Sequence, residues 1–92
     1  MRKERKPIDA ERFYQAVLQV QPLHPDANHD LGVLAVLANK IKVALPLFQK
    51  VVRINPKIEQ FWLNYIDAPI IGKRYENAKQ VAEQAKTRYV AE

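Results

Sequence analysis

The sequence predicts an all-α fold, a short stack of helical hairpins, and three observations predict it. Ala10, Ala44 and Ala78 recur at intervals of 34 residues, and Tyr14–Phe48, Val17–Val51–Ala85 and Pro22–Pro56 keep that interval. A repeat of this length is that of a helix–turn–helix unit. Apolar residues follow helical spacing between Pro, Asn and Gly punctuation. β-Branched residues never alternate with polar ones over the length of a strand.

Five helices follow in order. Asp9 is placed to cap a first helix over about Ala10 to Gln19, whose apolar residues are Phe13, Tyr14, Val17 and Leu18, with Val20 just beyond. Pro22 and Pro25 bracket the next corner. The second helix runs from Asp26, whose charge suits the positive end of the helix dipole, to Ala38. Its buried stripe is Leu31, Leu34, Ala35 and Ala38. Asn39-Lys40 makes the turn, with Asn in the left-handed conformation. The third helix spans Ile41 to Ile54 and turns Ala44, Leu45, Phe48, Val51 and Val52 inward. Pro46 inside it removes an N–H and is expected to bend it unless the helix begins late enough for Pro46 to lie in its first turn. Pro56 closes this helix. The fourth, Ile58 to Ile71, carries Phe61, Trp62, Tyr65 and Ile66, with Pro69 expected to kink or shorten its last turn. Gly72 starts the next turn, and the fifth helix, Tyr75 to Tyr89, packs Ala78, Val81, Ala82 and Ala85. The small Ala at the recurring position lets helices approach closely beside Phe48 or Trp62. Gly32 costs about 0.8–1 kcal/mol of helix propensity, so close backbone packing is the expected reason for it.

Bulk properties bound the function. The 92 residues fit one small domain (residues 9–92) behind a basic N-terminal tail (residues 1–8). The composition, 48% hydrophobic and 27% charged, is that of a folded protein. Cys is absent, which excludes disulfides, thiolate metal sites and Cys nucleophiles and suits a reducing compartment. No apolar run approaches the roughly 18 residues of a membrane span, and no signal-peptide core follows Met1 to Lys6. A cytoplasmic protein without a membrane partner is expected. Of the net charge of +5, Arg2, Lys3, Arg5 and Lys6 against Glu4 place +3 on the first six residues, read as a solvated terminus.

With Leu31-Gly32, Ala35, Ala44, Phe48 and Pro56 in register, the segment 25–58 resembles a tetratricopeptide repeat (TPR). Residues 59–92 repeat it, with Trp62 at the first-helix aromatic and Tyr75-Glu76-Asn77-Ala78 opening the second helix. Residues 9–24 match a half repeat through Ala10, Tyr14, Val17 and Pro22. Asn28, Pro69 and Ala82 depart from the pattern. The resemblance implies a right-handed superhelical α-solenoid. It also implies a non-catalytic scaffold for protein–protein interaction, whose first helices line a concave groove for a peptide. Carried over by position, that groove is lined by Asp26, His29, Asp30, Val33, Val36 and Leu37. The next repeat adds Gln60, Leu63, Asn64, Asp67, Ile70 and Ile71. Asn64 is similar in place to the asparagine ladder of O-linked N-acetylglucosamine transferase repeats, in which side-chain amides hold a peptide backbone. Asp30 interrupts that ladder. The family's basic clamp for a terminal carboxylate is not expected, because its positions hold His29, Val33 and Ile71. The groove therefore suits a peptide with apolar anchors and a basic residue near Asp30 or Asp67.

Catalysis and cofactors are not expected. Asp26, Asp30 and Asp67 lack a neighbouring nucleophile, His24 and His29 lack metal-ligand spacing, and Gly32 and Gly72 make no phosphate loop. Three further readings compete with the adaptor. Self-assembly would use Phe13, Leu18 and Val20 at one end and Val81 and Tyr89 at the other. The half repeat at the start suits a targeting domain cut from a larger enzyme such as a glycosyltransferase. Nucleic-acid binding through Arg2 to Lys6 with Arg12 ranks last, because the body lacks a basic face with interleaved aromatics.

Overall fold

The computed structural model describes residues 7–90, with side chains from Asp9 onward, so the basic segment from Arg2 to Lys6 lies outside the described residues. Five α-helices follow one another: α1 (Pro7–Val20), α2 (Pro25–Leu37), α3 (Ile41–Ile54), α4 (Glu59–Ile71) and α5 (Tyr75–Ala85). A π-helical turn, Lys86–Val90, replaces the expected last α-helical turn. No strand occurs among the described residues. The connections 21–24, 38–40, 55–58 and 72–74 are too short for anything but reversal of direction. Helices adjacent in sequence pack together, and α2 also touches α4. The molecule is elongated, 46 × 28 × 23 Å.

Local chemistry sets the ends of these helices. α1 begins three residues before the expected start, because Pro7 has the fixed φ and missing N–H that suit the first helical position. Asp9 therefore sits inside the first turn, still at the positive end of the dipole, and does not cap from outside. α2 is capped by His24, whose Nδ1 accepts the Ala27 N–H at 3.0 Å, with Pro25 at the first helical position. The C-termini of α2 and α4 repeat each other. Asn39 and Lys73, 34 residues apart, are the positive-φ residues other than Gly (φ 61° and 60°) among those described. At the first, Asn39 N–H donates to Val36 and Lys40 N–H to Ala35; at the second, Lys73 N–H donates to Ile70 and Arg74 N–H to Pro69. This double bond pattern closes each helix in the same way. Gly72, beside the second of these, has an ordinary φ of −83°. Its missing Cβ admits Ile41 instead, since a Cβ there would lie 3.0 Å from Ile41 Cγ1. Pro46 and Pro69 both lie inside helices that continue past them.

The core holds Ala44, Phe48, Val51, Val52, Phe61, Trp62, Tyr65, Ala68 and Val81. Full burial of side chains as large as Phe48 and Trp62 contributes up to about 3 kcal/mol each. Trp62 Nε1 donates to the Pro56 carbonyl at 2.7 Å. One period earlier, Asn28 Nδ2 donates to the Pro22 carbonyl at 3.1 Å and to His24 at 2.9 Å. Asn28 departs from the aromatic pattern in size yet makes the same corner bond, while its Oδ1 is buried without a partner. A Cβ on Gly32 would lie 2.6 Å from Phe48 Cε1, so the glycine makes room for the ring. At the positions 34 residues on, Ile66 and Ala82 stand in place of Gly32 and Phe48, large and small exchanged.

Phe13 (56% exposed) and Val20 (79%) stay in solvent because α1 has a helix, α2, against one side alone. Three expected positions are corrected. Ala38 is exposed as the C-cap of α2, and Ala82 is exposed because no described helix covers that face of α5. Val81, expected to carry assembly at the far end, is instead buried in the core.

Candidate functional site

The contact between α2 and α4 positions the predicted groove residues. Val33, Val36 and Leu37 from α2, and Asn64, Asp67 and Ile71 from α4, line one cleft of about 160 Å³ with Phe48 and Ala68. Val33 and Val36 are half-buried, while Leu37 and Ile71 are exposed at 77% and 56%. Spacing explains the grouping on α2: 33, 36 and 37 fall on one face of a helix, as do 64, 67, 68 and 71 on α4. Asp67 is the acid of this cleft, exposed at its rim.

The remaining polar groove residues form a hydrogen-bonded chain that crosses from helix to helix. Gln60 Nε2 donates to Asn64 Oδ1 at 3.0 Å. Asn64 Nδ2 in turn donates to His29 Nε2. An amide N–H facing Nε2 assigns the ring proton to Nδ1, which donates to Asp30 Oδ1 at 3.1 Å. The imidazole lies between the rings of Phe48 and Phe61, with centroids 5.7 and 5.0 Å away. His29 is thus no free rim residue; it wedges α2 against α4, with its side chain 13% exposed. Asn64 keeps one N–H and one lone pair beyond these bonds, half of what a free amide offers a peptide backbone. Asp26, Leu63 and Ile70 are exposed and join neither the cleft nor the chain of bonds.

Sequence reasoning assigned Phe48 to the core alone, and the structure places it on the cleft wall as well. It also missed a segregation of charge that is legible from composition. Asp26, Asp30, Glu59 and Asp67 lie on α2 and α4, which contain no Lys or Arg. α3, between them in sequence, carries Lys42, Lys50 and Arg53 and no acid. The groove helices are therefore wholly acidic in a chain of net positive charge.

Among the described residues no group of three or more metal-ligating side chains assembles, and no helix is long and apolar enough to cross a membrane. Neither a protein-family model nor a curated protein sequence matches the chain.

Proposed function

We propose that this chain is a TPR-like α-solenoid with a non-catalytic role, binding a protein segment across α2 and α4. The observation that carries the reading is the cleft where six groove residues from helices one repeat apart bring apolar walls and the Asp67 carboxylate together. At about 160 Å³ it is smaller than the roughly 300–1,000 Å³ of sites for drug-sized ligands. It suits a single aliphatic side chain of a peptide, with a neighbouring Lys or Arg reaching Asp67. Four acids without a cation on the two helices favour such a basic partner and repel acidic ones. One small anchor corresponds to micromolar affinity or weaker.

The test is selection from a displayed peptide library followed by titration calorimetry. Leu37→Asp and Ile71→Asp, both exposed, are expected to weaken the selected peptides about tenfold or more each while helicity stays unchanged. Peptides that bind both variants as tightly as the parent would refute this site. A second reading, self-association, is favoured by Phe13, Val20 and Leu23, which are 56%, 79% and 65% exposed at the α1 end. Sedimentation over a wide concentration range checks it: a constant monomer mass rejects it, and a mass that Val20→Asp restores to monomer supports it.

A further inference from the structure

A second cleft, which shares no residue with the groove, lies between α3 and α5 over Tyr65 and measures about 420 Å³. Lys42, in the first turn of α3, and Arg74, the N-cap of α5, line it and also share a neighbouring depression with Asn39 and Gly72, so both cations stand at one end. From there α5 lays Asn77, Gln80 and Gln84 along one wall, opposite Gln49 of α3. None of these side chains forms a hydrogen bond or ion pair with another described residue. Pro46, also in the lining, has no N–H to give the Lys42 carbonyl four residues back.

The previous repeat holds the corresponding cleft, and its chemistry differs. There Glu11, Leu31, Lys40 and Val43 occupy the places taken 34 residues later by Leu45, Tyr65, Arg74 and Asn77. That cleft is about 200 Å³. One repeat on, the acid has gone, two aliphatic residues have become a phenol and an amide, and the space has doubled. Tyr65 also serves the core, whereas Lys42, Arg74, Gln49, Gln80 and Gln84 are exposed.

We propose that this cleft binds an acidic polypeptide segment in extended conformation, its main chain against the amides and a carboxylate on Lys42 and Arg74. Each amide donates and accepts as a main chain does, and the Arg74 fork matches a carboxylate. Asn77 to Gln84 spans about 10 Å of helix, the length of roughly three extended residues. Burial raises the Tyr65 pKa above its ordinary value, against a smaller opposing effect of Arg53, so the phenol remains a donor at neutral pH. A nucleic acid fits less well, because Tyr65 is buried and presents no open ring face for base stacking.

The test uses the full chain, labelled with nitrogen-15, titrated with acetylated tetraglutamate in about 0.15 M salt. The side-chain amide signals of Gln49, Asn77, Gln80 and Gln84 are expected to shift. Arg74→Glu should raise the apparent Kd at least tenfold, and the pair Gln80→Ala, Gln84→Ala severalfold; all three positions are exposed, so the fold is retained. Leu37→Asp in the groove should leave this binding unchanged, which separates its failure from that of the groove reading. Amide signals that do not move, an unchanged Kd in Arg74→Glu, or equal shifts from an oligothymidylate of matched charge would each overturn the proposal.

Discussion

Replacing Gly32 by Ala sets two known effects against each other inside α2. Helix propensity favours Ala by about 0.8–1 kcal/mol. The new Cβ, however, would lie 2.6 Å from Phe48 Cε1 and 2.9 Å from Cδ1. Phe48 is 1% exposed, and the His29 ring stands 5.7 Å from it, so the ring has little room to withdraw. Overpacking of this kind costs about 1–3 kcal/mol. The expected net effect of Gly32→Ala is therefore a loss of about 1 kcal/mol, which for a domain of this size lowers Tm by roughly 4–8 °C. Thermal unfolding followed by circular dichroism at 222 nm measures it. Adding Phe48→Leu should bring the loss below the sum of the two single substitutions, because the smaller side chain frees the space that the methyl needs. A Gly32→Ala protein more stable than the parent would show that the ring yields freely and that the glycine is not there for packing.

Other perturbations test the remaining claims. Lys73→Gly should stabilise by about 0.5–1 kcal/mol in denaturant unfolding, since it relieves a left-handed Lys at the cost of some chain entropy. Gly72→Ala, one residue earlier, should instead destabilise through its contact with Ile41. Trp62→Phe takes the donor from the Pro56 carbonyl and removes part of the buried indole, for an expected loss of at least about 1–3 kcal/mol by the same assay. Tyr65 contributes to alkaline unfolding. Its folded pKa is raised above the unfolded value near 10, so its contribution is fully present below about pH 10 and is lost as pH rises through the folded pKa. Tyr65→Phe should accordingly show a flatter fall of stability than the parent above pH 10. Asn64→Ala should lower stability as well as any peptide affinity, because it unlinks α4 from His29 on α2, and urea unfolding would reveal the first effect without any ligand.

Periodicity and punctuation were enough to place the helices, because their signals are local. The α3 boundaries, Ile41 and Ile54, coincide with the expectation, and the left-handed turn falls on Asn39 as its chemistry demands. The helix ends that differ from expectation have equally local causes. Pro7 suits a first helical position as well as the end of a tail, and His24, between Pro22 and Pro25, caps α2 through its Nδ1. The shared cleft of Val33, Val36, Leu37, Asn64, Asp67 and Ile71 was half legible: helical spacing groups the residues on each helix but cannot say that the two faces meet.

By itself, then, the sequence determined an all-helical chain, its repeat length, its turns and the acidic character of α2 and α4, all of which depend on residues within a turn or two of one another. Tertiary structure decided what each face covers. Phe13 and Val20 follow the same spacing as core residues, yet they are exposed because only a neighbouring helix can bury a side chain, and α1 has one on a single side. It also decided that His29 and Asn64, 35 residues apart, bond to each other. No local rule contains that distance; it exists only once α2 and α4 lie side by side.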